Sequence, residues 1–277
     1  MRKPPAQTGD AEYARFVQKA REFSARAQYL RAEKCLLHAL TLVRGSSEQA
    51  PALWNELGMV CKYAGKFDSS ERYYRMALRR VRRLPKSQEQ QCLLADLYHN
   101  LGGLRHARRN YRSAENYACK GLKIRLAVMP SRHLTIASDR VALGAILDGL
   151  GRHGESKKLY LQALRTYYRE YGPSHPEIAV VLNNMAASHA SQGLFRWAEF
   201  YYSAALRMKR RELGRSHPDL AVTLNNLALL YNSRGSHARA RLQMRQAVAI
   251  FNRTLGKTHP NTLAARTNLR NIIRNSQ

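Results

Sequence analysis

Four histidines recur along this chain at a fixed interval: His133, His175, His217 and His259 stand 42 residues apart each time. Imidazole is a common metal ligand and a common general base, so a repeated histidine asks whether the row binds an ion or moves a proton. The spacing argues against a shared ion. Equivalent positions in stacked helical layers fall about 10 Å apart, too far to bind one metal together. The last three histidines sit in S-H-P, S-H-P and T-H-P, where Pro176, Pro218 and Pro260 suit the first turn of a helix. Glu177 and Asp219 follow at the positive helix end. The row therefore marks helix boundaries, and no metal is expected.

Other chemistry is poorly supplied. Cys35, Cys61, Cys92 and Cys119 form no C-x-x-C pair and lie beside no His at zinc spacing; they read as reduced, small apolar residues on helices. "LGGLRHARRN" is a helix end with small residues, not a phosphate loop, and neither H-E-x-x-H nor G-x-S-x-G occurs. Between Arg239 and Gln277 there is no carboxylate. No catalytic residues and no cofactor are expected.

The elements between the histidines repeat as well. "GPSHPEIAVVLNNMAASHASQG" at 172–193 returns as "GRSHPDLAVTLNNLALLYNSRG" at 214–235. Within the last unit Leu224, Leu227, Ala228 and Tyr231 form one helical stripe, Gly235 breaks it, and Ala240, Met244 and Ala247 form a second. Two helices joined at a small residue make a hairpin, which cannot bury its apolar face alone, so neighbours must stack. The frame recurs upstream, giving six hairpins with repeats starting near 13, 51, 95, 137, 179 and 221 and a terminal capping helix from about 263.

"WNELG" at 54–58 followed by "AGKFDSSERYYRMAL" at 64–78 resembles the tetratricopeptide repeat (TPR). The 42-residue units with "HP…A…LNNLA" resemble those of kinesin light chain over roughly 170–270, although the heptad region of that protein is absent. The resemblance implies an all-α, right-handed superhelical solenoid of stacked helical hairpins. It forms a single domain over 13–277, after a disordered lead-in at 1–12.

The resemblance also implies that the first helix of each hairpin lines a concave groove. The frame then places Asn55, Lys62, His99, Asn183, Asn225, Asn232 and Asn271 toward it as peptide-binding residues, with Asp148 as a negative charge in the middle. An amide both donates and accepts, so a row of asparagines can hold an extended backbone without reading its side chains. Asn100, Asn184 and Asn226 read instead as ties between hairpins. His189 stands at the usual Tyr position and reads as packed rather than as a base.

The chain carries 47 basic against 19 acidic residues, and Arg exceeds Lys by 35 to 12. The excess has two readings, compositional bias or an acidic partner. It gathers near the ends of second helices: Arg79, Arg80, Arg82 and Arg83; Lys120 and Lys123; Arg207, Lys209, Arg210 and Arg211. These are expected to form a basic ridge on one edge or the convex face, although no familiar nucleic-acid motif accompanies it. The N-terminal residues show no apolar stretch after their charges, and no run approaches a membrane span, so a soluble cytoplasmic protein is expected. The reading is a non-enzymatic adaptor that holds a peptide or partner segment, expected to be acidic, in its groove; the alternative is a nucleic-acid-binding protein using the ridge. No membrane or small-molecule substrate is expected.

Overall fold

The computed structural model describes residues 5–43 and 49–275, with residues 5–10 as backbone only. The described residues form thirteen α-helices and no strand. Two compact units divide between Ser131 and Arg132, where the repeat frame alone leads one to expect a single continuous domain. The division falls just after Met129 leaves α6 in an extended conformation. Pro130 follows, lacks an N–H and disfavours helix in the residue before it.

The first unit holds α1 (Pro5–Ala25), α2 (Tyr29–Leu42), α3 (Ala50–Tyr63), α4 (Phe67–Val81), α5 (Gln88–Ala107) and α6 (Tyr111–Val128). The second holds α7 (Leu134–Gly149), α8 (His153–Tyr171), α9 (Pro176–Ser191), α10 (Phe195–Leu213), α11 (Pro218–Ser233), α12 (His237–Thr254) and α13 (Pro260–Arg274). Each expected repeat start falls within an odd-numbered helix, the first of its hairpin. The lead-in differs from expectation: α1 begins at Pro5 rather than near residue 13. Proline fits the first turn, and the Ala and Gln that follow are good helix formers. Residues 1–4 lie outside the described residues.

Within each hairpin the two helices meet at a small residue. A Cβ on Gly58 would lie 2.4 Å from the Tyr74 ring, and one on Gly144 would lie 2.6 Å from Tyr160. Both rings are buried in the cores these hairpins build. Between hairpins, packing is lopsided. In the first unit α3 touches α5, and in the second α7, α9, α11 and α13 touch in succession, while no even-numbered pair packs comparably. The odd-numbered helices therefore lie on the inner side of each stack.

The repeated histidines are N-caps. The Nδ1 atoms of His133, His175, His217 and His259 accept the backbone N–H two residues on, at 3.3, 3.2, 3.2 and 3.1 Å. Each satisfies one amide that the first helical turn leaves unpaired. The turns inside the hairpins demand a left-handed residue, which Gly65, Gly151, Gly193 and Gly235 supply; Arg109, at φ 57°, occupies that conformation without being glycine.

His217→Ala is expected to lower stability by about 0.5–2 kcal/mol, and His217→Asn by much less, because Asn caps as well as His or better. Arg109→Gly is expected to raise stability by about 1 kcal/mol by relieving the left-handed penalty. Urea denaturation monitored by helical circular dichroism checks both.

Candidate functional site

The inner, odd-numbered helices carry the residues expected to face a ligand. In the first unit, Asn55 on α3 is buried, and its Oδ1 accepts from Asn100 Nδ2 on α5 at 2.9 Å. Lys62 is half-buried with its ammonium 4.6 Å from the centre of the Tyr63 ring, and His99 is half-buried on α5. In the second unit, Asn225 on α11 accepts from Asn268 Nδ2 on α13 at 3.0 Å and donates to Asn226 Oδ1 at 3.3 Å. Asn183 on α9 is buried, and its Oδ1 accepts from the Thr223 hydroxyl on α11 at 3.1 Å. Asn232 Oδ1 lies 3.1 Å from His237 Nδ1, and Asn271 is exposed on α13.

The amides expected to face a peptide thus also tie one hairpin to the next. Asn55 to Asn100 and Asn225 to Asn268 are the same bond one place along the frame, made in different units. Among the described residues, the Nδ2 groups of Asn55 and Asn183 have no partner. The tie assigned to Asn100 is present, and Asn226 serves as the partner of Asn225 within α11.

Asp148 is tied down rather than presented. Its Oδ1 accepts from Ser188 Oγ at 2.7 Å and lies 2.9 Å from His153 Nδ1, while its Oδ2 accepts from the Tyr160 hydroxyl at 2.8 Å. Burial, with the nearby Asp148 carboxylate, pushes the Tyr160 phenol up, so it remains a neutral donor. A Ser–His–Asp set invites comparison with a hydrolase triad, but Ser188 Oγ also approaches His153 at Nδ1, at 3.2 Å. A relay needs the hydroxyl and the carboxylate on opposite ring nitrogens, so this cluster binds α7, α8 and α9 together. The residues lie up to 40 positions apart, and nothing in their local sequence signals the grouping.

The basic ridge needs one correction. Arg79, Arg82 and Arg83 at the end of α4, Lys120 and Lys123 on α6, and Arg207, Arg210 and Arg211 on α10 are exposed; Arg80 is half-buried. Arg82 donates to the Tyr98 hydroxyl at 2.8 Å. Lys209 is only 3% exposed and does not belong to the ridge. Its ammonium donates to Thr223 Oγ1 at 3.0 Å and to the Asp219 carbonyl at 3.2 Å, and burial lowers its pKa. The reason is helical phase: Lys209 continues the buried stripe Ala198, Tyr202, Ala205, Leu206 of α10. Arg125 holds the matching place on α6, buried and paired with Asp96 at 2.7 Å.

All four cysteines are free. Burial pushes the Cys61 thiol up to about 12, and it donates to Glu33 Oε1 at 3.6 Å, the profile of an unreactive thiol. Among the described residues, no group of three or more His, Cys, Asp or Glu could hold a metal ion. His189 donates Nδ1–H to the Met185 carbonyl at 2.7 Å and packs its ring near Tyr201.

Capped, tightly packed hairpins stacked through their first helices define a repeat scaffold. The family model for the tetratricopeptide repeat matches residues 48–127, 134–211 and 178–253, and the chain belongs to the tetratricopeptide repeat family. No curated protein matches the chain in sequence. Among solved structures it is similar to BtubC (BKLC) from P. vanneervenii, at 23% identity and a TM-score of 0.55, over 93% of this chain and 95% of that one. It is also similar to a putative kinesin light chain with nearly identical TPR-like repeats from Podosopora anserina, at 17% identity and a TM-score of 0.52, over 75% of this chain and 98% of that one. A third is a Rap protein complexed with competence and sporulation factor, at 16% identity and a TM-score of 0.56, over 95% of this chain and 75% of that one. At these identities the likeness is one of fold, and it includes kinesin light chain-like repeats.

Lys209 yields a prediction with a defined sign. Its pKa is lowered in the folded state, so the unfolded chain binds more protons between that value and the ordinary lysine value of 10.5. Stability from this group therefore rises with pH across that window. Lys209→Met is expected to be at least as stable as the parent near neutral pH, because a buried charge is exchanged for an apolar side chain of similar length. The stability difference between the two proteins should shrink as pH climbs toward 10.5. Paired urea titrations at neutral and alkaline pH read that difference.

Proposed function

We propose that this protein is a non-enzymatic adaptor working in the cytoplasm, and that it captures an extended segment of a partner protein along its odd-numbered helices. The observation that carries the reading is the asparagine place that recurs as Asn55, Asn183 and Asn225, with its carbonyl oxygens already engaged by the neighbouring helix. An amide held by its oxygen keeps its N–H groups in a fixed direction, where they can donate to peptide carbonyls. Lys62, His99, Asn232 and Asn271 extend the same face, each within its own unit. Ala145 and Ala190 are half-buried and Ala187 is exposed, which leaves room for a backbone in the second unit.

The family supports a protein partner, and one structural neighbour was solved with competence and sporulation factor. The formal charge of +28 favours an acidic one, drawn in by long-range attraction. Among the described residues, no helix is long and apolar enough to cross a membrane. The exposed Arg79, Arg82 and Arg83 leave nucleic acid as the competing ligand.

A pull-down from lysate of the source cells, with and without nuclease and at low and moderate salt, tests the reading. A defined protein is expected to survive nuclease and moderate salt, and to be lost with Ala187→Phe, which fills the face without touching the amide ties. Recovery of bulk nucleic acid, with the protein lost on nuclease treatment and on charge reversal at Arg79, Arg82 and Arg83, would overturn it.

A further inference from the structure

The outer side of the second unit carries a feature that the inner face does not explain. On α10, Trp197 is 56% exposed and Phe200 is 57% exposed. The two rings meet edge to face at 6.2 Å, and both contact the Tyr201 ring. Leu194, at the start of the helix, is exposed beside them in sequence. Single exposed apolar residues are ordinary, but a cluster of large rings on one helix face is not. The cluster lies off the stripe that α10 buries, so the fold does not need these rings.

The second helices on either side in sequence also carry exposed apolar residues. Positions one repeat away from Phe200 are Lys158 on α8 and Leu242 on α12, and Leu161 and Leu242 are both exposed. The surroundings are cationic. Lys157, Arg196, Arg207, Arg241 and Arg245 are exposed and, among the described residues, have no ion-pair partner, and Lys158 is exposed within reach of Glu155. The nearby carboxylates are already engaged. Glu199 accepts from Arg234 at 2.6 Å and from the Tyr231 hydroxyl at 3.0 Å, and Glu155 takes both of its bonds from Arg152 at 2.7 Å. Apolar surface ringed by unopposed positive charge is complementary to apolar surface ringed by negative charge.

We infer that the outer face of α10, centred on Trp197 and Phe200, is a second docking surface that takes an acidic amphipathic segment of a partner protein. Aromatic anchors set among aliphatic neighbours and arginines have the composition of a protein-binding hot spot. A single-stranded nucleic acid fits less well. Stacked bases need flat aromatic platforms, whereas these two rings stand at 85° to each other. The surface is separate from the odd-numbered helices, so one segment can dock here while another occupies the inner face.

The chain has two tryptophans, so Trp54→Phe leaves Trp197 as the sole reporter. The probe is a synthetic peptide with Leu and Phe on one helical face and Glu on the other, with a Lys-for-Glu version as control. Saturable binding is expected with a blue shift of Trp197 emission, weakening as salt rises and absent for the control. Phe200→Ala, which removes an exposed ring and should leave helicity intact, is expected to weaken binding about tenfold, in the range of an interface anchor. Ala187→Phe, on the inner face, is expected to leave this binding unchanged, which separates failure here from failure of the proposed adaptor role. The inference is overturned if the peptide leaves the emission unchanged, or if Phe200→Ala binds as well as the parent. It is also overturned if oligouridylate or phosphatidylserine vesicles shift the emission and the peptide does not.

Discussion

A helical hairpin of this kind buries one side of each helix against its own partner and leaves a second apolar side with nothing to cover it. Everything else in the chain answers that constraint. The contact inside the hairpin is close because one partner is small: Gly58 under Tyr74 and Gly144 under Tyr160 leave no space for a methyl group. Two helices held that tightly present their remaining apolar residues as one surface, and the next hairpin covers it. The clusters around Leu36 and Leu53, and around Leu206 and Leu224, are such surfaces, built from residues of successive hairpins. Stability in such an array is shared between neighbours rather than held in one centre.

Apolar stacking sets how near the hairpins come but not their register. Polar ties supply that. The bonds from Asn100 to Asn55 and from Asn268 to Asn225 each join consecutive first helices, and Thr223 joins α11 to Asn183 on α9. Lys209 extends the last of these from the outer helix, donating to the same Thr223 hydroxyl. In the first unit Arg125 holds the same place but pairs with Asp96 on its own hairpin's first helix, so it ties α6 to α5 rather than one hairpin to the next. Equivalent places elsewhere hold Val81, Tyr167 and Phe251, all buried. A cation at a core place is tolerable only with its donors satisfied, and both have partners on the adjoining first helices.

The architecture was legible because repetition averages out local ambiguity. One His-Pro pair is a weak signal, but three at a constant interval, each followed by the same stripe, fix helix starts that the His caps then realise. What remained hidden depended on phase and on distant partners. "RMKRREL" reads as a uniform basic run, yet a helical turn sends Lys209 inward while Arg207, Arg210 and Arg211 face out. The frame puts the amides on first helices, but a frame of positions cannot reveal that Asn55 Oδ1 is already engaged by a residue 45 positions away. The aromatic cluster on α10 stays hidden because Trp and Phe in a helix read as core until their exposure is known.

The two uses of the amide row depend on each other. A side-chain amide in water rotates freely, and fixing it on binding costs rotamer entropy that weakens capture. Here that entropy is lost on folding, because Asn55, Asn183 and Asn225 already have their oxygens bonded to the next helix. The donors that remain point in directions set by the stack. A change that loosens the register between hairpins would therefore blur the donor row even where no groove residue is altered. Conversely, a segment bonded along several of these amides would engage consecutive first helices and hold their spacing. Binding and register are then the same set of bonds seen from two sides, and affinity is limited by how stiffly each unit holds its stack.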